Sequence, residues 1–420
     1  MNRKLFKTIS IIFLIILFNF SIFGTNGYFS HGYSTEGKAL AGAEVAIPLD
    51  TFSAVTNPAL ISFVDDGFQI GLGFFMPYRE YTVKGDPSGI SGTFPLVPQT
   101  VESDTNLFVM PKIGYKFNLK NNIDISINIY GNGGMNTNYD EAVYNGEKPT
   151  GVDLAQLFSD FTISKKIGEN HSIGFSTILA YQRFSAEGLQ AFVGFSRKSD
   201  DLTNNDYDNS LGYGARIGYF GGLSRLFRIG LSYQTKILMK EFDEYSGLFA
   251  EKGDFDIPSN LNAGFSSELM NNFVVSFNYQ KIFYSDIKSI ANNFDPADFY
   301  SGTLLGDEEG AGFGWDDMDI YKIGMKLKLN DNWSLMSGFS HGKQPIGEND
   351  VMLNILAPAV IENHITLGIN KKLDNNNSFS FSISHGLSNS VSGYNPMEIP
   401  EQQKIEIKMH QWDFEIGYSF

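Results

Sequence analysis

From Gly67 onward the chain alternates apolar and polar residues with period two in segment after segment, the pattern of a strand with one apolar and one polar face. Ile123, Ile125, Ile127 and Ile129 alternate with Asp124, Ser126, Asn128 and Tyr130. Tyr321, Ile323, Met325, Leu327 and Leu329 alternate with Lys322, Gly324, Lys326 and Lys328, and Trp412, Phe414, Ile416, Tyr418 and Phe420 close the chain in the same rhythm. The pattern predicts fourteen strands, over 67–83, 104–118, 123–133, 157–167, 171–184, 210–220, 226–240, 256–269, 273–287, 312–329, 333–341, 358–372, 378–387 and 406–420.

The connections carry as much information as the strands. Lys120 to Asn122, Gly168 to Asn170, Gly221-Gly222, Asn271-Asn272, Asn330 to Asn332 and Asp374 to Asn377 are short turns of residues that tolerate positive φ or form Asx turns. They interleave strictly with long connections at 84–103, 134–156, 185–209, 241–255, 288–311, 342–357 and 388–405. One short-turned rim, one long-looped rim and an even strand number describe an antiparallel transmembrane β-barrel, whereas a soluble sandwich has no reason to keep that rhythm. Hydrocarbon offers no hydrogen bonds, so the sheet must close, and the polar face of each strand lines a lumen. Both chain ends fall on the short-turn rim, which in such barrels faces the periplasm.

Two leading segments break the pattern. Arg3, Lys4 and Lys7 precede an apolar run from Ile9 to Phe23 and then Gly24, Thr25, Asn26 and Gly27, the layout of a secretory signal over 1–27. A membrane anchor is the competing reading, but a helical span needs roughly 20 apolar residues. Residues 28–66 do not alternate: Gly37, Ala39, Ala41, Gly42, Ala43 and Ala46 make a small-residue patch, and Asn57 is a good N-cap with Pro58 at the first helical position. A lumen intermediate between filled eight-stranded barrels and the aqueous porins of about 16–18 strands admits a compact segment. Residues 28–66 are expected to plug it as short helical turns, with a periplasmic tail as the competing reading, and 67–420 to form the barrel.

Composition narrows the function. With 43 Gly, 37 Phe and 20 Tyr in 420 residues, the chain suits a sheet rich in turns and aromatics. Zero cysteines exclude disulfides, thiolate nucleophiles and cysteine zinc sites. A net charge of −16 argues against a nucleic-acid partner. None of the six histidines falls in a Gly-x-Ser-x-Gly elbow or a His-x-x-x-His pair, and Ser384 and His385, as strand neighbours, point to opposite faces. Neither an enzyme nor a cofactor or metal site is expected.

Three groups of candidate residues remain. Gly131, Gly133 and Gly134 weaken pairing and favour a bulge or kink, which opens the wall sideways or merely begins a loop. Leu189, Phe192 and Phe195 make one connection too apolar for a solvated loop, and Phe294, Phe299, Leu304 and Leu305 in another are candidates for a facing wall. Lys322 and Lys326, with Lys112, Lys116 and Lys328, fall on the polar parity and point inward, where they either meet a ligand carboxylate or pair with acids such as Asp413 and Glu415. Acidic clusters such as Asp200-Asp201 and Asp307 to Glu309 lie in outer loops, solvated or bridged by divalent ions to lipopolysaccharide.

Gly32 to Ala59, with Lys38 to Ala43, Asp50 and above all Asn57-Pro58-Ala59, resembles the hatch of the FadL/TodX family of outer-membrane transporters for long-chain fatty acids and hydrocarbons. Tyr130 to Tyr139 resembles that family's third-strand region, and Asp331-Asn332-Trp333 with Gly338, Pro345 and Pro358 to Gly368 its later strands. The resemblance implies a fourteen-stranded barrel with an N-terminal hatch, passing apolar solutes without energy input through a lateral opening at a kinked third strand. On it, Asn57 caps its own turn and also bonds the inner wall near the kink; separately, the terminal Phe420, preceded by alternating aromatics, looks like the C-terminal strand by which barrel assembly machinery recognises outer-membrane barrels. The resulting expectation is passive uptake of hydrophobic compounds, long-chain fatty acids foremost, across a bacterial outer membrane. The alternative is an adhesin or structural barrel with ligand-binding acidic loops.

Overall fold

The computed structural model describes residues 26–224, 226–373, 377–398, 400 and 402–420. The expected secretory segment thus lies, but for Asn26 and Gly27, outside the described residues, as do Asp374 to Asn376 of the last short turn. Of 16 β-segments among the described residues, two are short pieces, Thr100–Glu102 and Leu238–Met239, which leaves fourteen wall strands. In order these are β1 Gly67–Lys84, β2 Phe108–Leu119, β3 Ile123–Tyr139, β4 Thr150–Ile167, β5 His171–Glu187, β6 Asp208–Gly222 and β7 Phe227–Gln234. There follow β8 Asn260–Met270, β9 Phe273–Ile282, β10 Met318–Lys328, β11 Trp333–Gly342, β12 Asn363–Lys372, β13 Ser378–Tyr394 and β14 Lys404–Ser419. Each pairs antiparallel with the next, and β1 pairs with β14 from Gln69↔Ser419 to Lys84↔Lys404, so the sheet closes on itself.

Burial is inverted relative to a soluble protein. Ile70, Phe161, Ile163, Ile173, Leu179 and Leu367 stand exposed on the outer face, while Ser126, Asn128, Thr162, Ser176, Ser276 and Asn278 are buried inside. Each strand expected from the period-two pattern has its counterpart in the wall. The ends differ where alternation disappears: β4 begins at Thr150 rather than 157, because Thr150 to Gln156 are all buried and carry no two-faced pattern. Likewise β3 runs to Tyr139 rather than 133, and β13 to Tyr394 rather than 387. β12 begins at Asn363 rather than 358, and Leu353–Ile355 just before it coil into a 3-10 turn.

The segment from Asn26 to Asp66 lies inside the cylinder. Ser34 caps helix α1, Thr35–Ala39, accepting from the Gly37 N–H at 2.7 Å, and a second short helix, α2, covers Ser53–Thr56. Asn57 then caps a 3-10 turn over Pro58–Phe63, its Oδ1 accepting from the Ala59 N–H at 3.1 Å. Helices this short are not stable alone. The wall holds them: Ser266 and Thr366 hydroxyls each donate at 2.8 Å to the Ala46 and Ala39 carbonyls, and Ser172 donates to Ala59 at 2.7 Å. At Gly218 the side chains of Asn57 and Pro58 come so close that a Cβ would overlap the Asn57 Oδ1, so glycine suits the position.

A buried ion cluster fastens one side of the hatch. Lys38 of α1 lies 2.9 Å from both Asp413 and Glu415 of β14, and Lys112 of β2 bonds Glu415 as well. Thr35 donates to Glu415 at 2.7 Å, and Lys326 meets Glu36 at 2.5 Å. The lumenal lysines Lys112, Lys116 and Lys326 are therefore paired with acids, as one of the two sequence readings has it. Breaking a buried pair leaves an uncompensated charge, which costs about 3–5 kcal/mol. Lys38→Met is accordingly expected to lower stability by about that amount, read as the midpoint of urea unfolding in detergent micelles. An unchanged midpoint would mean that the ion cluster does not hold the hatch.

Candidate functional site: a two-storey lumen with a broken wall

The polarity of the inner wall switches partway up the barrel. On β14, Gln411, Asp413 and Glu415 point inward at the lower level and Ile405, Ile407 and Met409 at the upper level, with Trp412, Phe414 and Ile416 outside below and Lys404, Glu406 and Lys408 outside above. β1 repeats the switch: Phe75, Tyr81 and Val83 are inward and buried, while Glu80, Thr82 and Lys84 face out. A polar lower storey, holding the hatch, thus lies beneath an apolar vestibule.

The lower storey contains a chamber of about 300 Å³ lined by His31, Tyr33, Glu44, Arg216, Gln280 and Lys322, among others. Arg216 is paired with Asp160, and Lys322 donates to the His31 carbonyl at 3.0 Å without a carboxylate at bonding distance among the described residues. Burial holds the His31 imidazole well below its ordinary pKa, with the nearby His364, Lys38 and Lys322 adding to the effect, and raises the Glu44 carboxyl above its ordinary value. The chamber suits water and polar groups.

Above it, a cavity of about 350 Å³ is lined by Phe75, Pro77, Met135, Trp315 and Met409, with Arg79 as its charged member. One side of this cavity is Gly134 to Asn136 of β3, where the wall is irregular. Between Gly131 and Gly134 the register of β3 against β4 slips by one residue, a β-bulge. Pairing of β3 with β2 ends at Ile113↔Ile129, although both strands continue. β3 therefore presents a free edge above Ile129, and other groups satisfy it. Ser30 N–H donates to the Asn132 carbonyl at 3.1 Å, Gly134 N–H donates to Tyr28 at 3.1 Å, and Asp104 N–H donates to Asn138 at 2.8 Å. The Arg79 guanidinium takes the Asn136 carbonyl between them. Tyr28 is held in turn by Tyr284, whose hydroxyl accepts from the Tyr28 N–H at 3.2 Å, and by Trp315 at 6.0 Å between ring centroids.

Higher still, an apolar cavity of about 460 Å³ lies among the outer loops, lined by Leu189, Phe192, Phe184, Phe249, Phe313 and Leu305 in particular. The two apolar connections expected to face each other do so. Gln190–Phe195 is a 3-10 turn, the Leu305 N–H donates to the Phe195 carbonyl at 2.9 Å, and the Phe195 and Phe299 rings lie 4.8 Å apart. Leu189 and Phe192 line the cavity, whereas Phe195, Phe299 and Leu304 pack beside it.

The glycines Gly131, Gly133 and Gly134 sit at the bulge, inside a strand rather than at its end. Asn57 does bond the wall, but at the Tyr219 carbonyl of β6, at 3.0 Å, and not beside the bulge. The reason is steric: the Asn57 turn rests on Gly174 and Gly218 of β5 and β6, and it is Tyr28 to Ser30 that reaches β3. Sequence reading missed Phe184, Phe313 and Trp315 and above all the roof from Val351 to Ile361, nearly all buried. The apolar run of that connection was its signal.

The profile of the family described as outer membrane protein transport protein (OMPP1/FadL/TodX) matches residues 26–392. The chain belongs to this family. It is an outer-membrane channel of the FadL/TodX type for hydrophobic compounds. Among solved structures, the toluene transporter TodX of Pseudomonas putida is 17% identical with a TM-score of 0.66, covering 93% of this chain and 98% of TodX. A Pseudomonas aeruginosa FadL homologue is 13% identical with a TM-score of 0.70, covering 94% and 99%. The Ralstonia pickettii toluene transporter TbuX is 16% identical with a TM-score of 0.62, covering 93% and 98%. At such identities these likenesses establish the fold. No curated protein matches the chain.

Asn57 donates to the Val45 and Tyr219 carbonyls with one amide, so its removal takes this donor from the buried Val45 carbonyl and breaks the bond to the wall. Asn57→Ala is expected to loosen the hatch by about 1–3 kcal/mol for each unsatisfied group. The measurement is trypsin cleavage at Lys38, buried in the parent protein, with equal protection of parent and variant as the contrary result.

Proposed function

We propose that this channel takes up long-chain fatty acids by diffusion, capturing them among the outer loops and releasing them sideways through the wall where β3 parts from β2. The observation that carries the reading is the free edge of β3, from Asn132 to Asn138, lying against an apolar cavity and covered mainly by the start of the hatch. Leu189 and Phe192 would take the alkyl chain first, with Phe195, Phe299 and Leu304 backing them.

Energetics favour the sideways route. A solute in the vestibule has below it a storey of buried Lys, Arg, Glu and amide groups, and beside it the bilayer. Hydrocarbon recovers about 25 cal/mol for each Å² of apolar surface withdrawn from water, a gain that the polar chamber does not offer. Pushing an alkyl chain past the ion cluster would also separate buried charges. The hatch, residues 28–66 in this reading, blocks the axis, and only the few residues from Tyr28 to Ser30 need leave the edge of β3. Asn57, Pro58 and Ala59 then serve to keep the rest of the plug seated while its leading residues move. Lys322, with no carboxylate at bonding distance among the described residues, and Lys326, engaged by Glu36, would contribute positive potential below the vestibule rather than direct contact.

The same reading assigns a cleaved secretory signal at the N-terminus, lipid against the outer wall, lipopolysaccharide against the acidic outer loops, and recognition of the terminal Phe420 by barrel assembly machinery. The test is removal of the bulge. Deleting Gly133 takes away the extra residue, so that β3 can resume its ladder. Uptake of radiolabelled oleate by cells expressing that variant is expected to fall to the level of cells without the protein, at equal amounts of folded barrel. Undiminished uptake would overturn lateral exit.

A further inference from the structure

We infer that Met352 to Ala359 form a gate, a partition between the capture cavity and the vestibule whose opening is the slow step of uptake, a role that rests on the uptake reading above and adds to it. The two apolar cavities share this wall. Leu353 and Leu356 line the upper cavity of about 460 Å³, whereas Ala357, Pro358 and Ala359, the next residues along the chain, line the lower one of about 350 Å³. Phe313 and Trp315 continue the partition in the same way, Phe313 facing the upper cavity and Trp315 the lower, with 6.1 Å between their ring centroids. The layer is therefore one segment thick, and a solute passing directly from capture to vestibule has to displace it.

Its attachments are of a kind that lets it move. The segment belongs to the connection from β11 to β12, and no strand among the described residues pairs with it. The N–H groups of Ile355, Leu356 and Ala357 bond within it, to the carbonyls of Met352, Leu353 and Asn354. Side chains join it to the barrel. Thr137 and Tyr139 of β3 donate from their hydroxyls to the Leu356 and Ile355 carbonyls at 2.8 and 3.0 Å, and Tyr144 of the β3–β4 connection donates to the Met352 carbonyl at 2.8 Å. Asn354, fully buried, latches the two parts of the partition together: it donates to the Phe313 carbonyl at 2.6 Å and accepts from the Trp315 Nε1–H at 2.7 Å.

A strand in the wall yields only with its ladder, but three hydroxyls and one amide can be given up without disturbing the sheet. Each such bond, taken from a buried carbonyl, shifts the balance between closed and open by about fivefold. Together they keep the gate shut in the absence of solute. An alkyl chain pressing in from above has Leu353 and Leu356 to pack against on one face and Ala357 to Ala359 on the other, so apolar contact made during passage offsets the bonds released.

The test is uptake of radiolabelled oleate by cells expressing the full-length barrel with the gate locked or loosened. The chain has no cysteine of its own, so Thr137→Cys with Leu356→Cys places one thiol on β3 and one on the gate, at a pair already in contact. Once oxidised, this variant is expected to take up no more than cells without the protein, and to recover on reduction. Tyr139→Phe with Tyr144→Phe, which removes two hydroxyls and keeps the rings, is expected to raise the initial rate by about fivefold for each hydroxyl. A merely structural role for these tyrosines predicts a fall in uptake, never a rise. Should the cysteine pair fail to join, or fail to assemble as shown by heat-dependent mobility on gels, the tyrosine variant decides alone. Undiminished uptake through the joined gate, or a parental rate after loss of both hydroxyls, overturns the proposal and leaves the uptake reading standing. A parent barrel that takes up no more than cells lacking it would sink the uptake reading, and the gate with it.

Discussion

A backbone in hydrocarbon has no solvent to bond with, and most of this architecture follows from that. Each of fourteen strands must give all of its main-chain groups to neighbours, so β1 has to find β14 and the sheet has no edge to spare. Closure turns the polar face of every strand inward. What results is a core made of Ser, Asn, Thr, Lys and Glu, and such a core needs hydrogen-bonding partners as strictly as an apolar one needs packing. The hatch supplies them. Its main-chain carbonyls at Ala39, Ala46 and Ala59 answer wall hydroxyls, and its Lys38 answers two carboxylates.

Against this background the break beside β3 stands out. A strand edge left unpaired next to lipid costs several kcal/mol for each orphaned group. The protein keeps the edge yet covers it with three unlike devices: hatch main chain at Asn132 and Gly134, a guanidinium at Asn136, and the β1–β2 connection at Asn138. None of these is a neighbouring strand, and each is removable without unzipping the barrel. Strand pairing is cooperative along its length, whereas two hydrogen bonds from Tyr28 and Ser30 can be exchanged singly.

Much of the fold was legible from the chain because the lipid imposes one rule, two faces per strand, that every spanning segment repeats. Legibility failed where that rule stops. Thr150 to Gln156 extend β4 into the loop cap, where both faces are covered and the period vanishes. The roof from Val351 to Ile361 was partly read as strand because its apolar run mimics one. Asn57-Pro58-Ala59 and the glycines of β3 could be singled out, since a cap, a proline and a bulge each have a local signature. Which wall Asn57 touches could not, because that depends on small-residue gaps at Gly174 and Gly218, contributed by two other strands.

One sequence signal was present and is general. On β1 and β14 the alternation does not merely fade but inverts, with Phe75, Tyr81, Ile405 and Ile407 inward where Asp413 and Glu415 are inward below. An inversion marks the height at which the inward face changes from polar to apolar. The same step therefore sets the floor of the vestibule. It also places Met135 and the bulge on the apolar side of that floor, and the ion cluster on the other. The gap in β3 thus lies nearer the outer loops than the charges of the hatch do, and a solute descending from those loops would meet the two in that order.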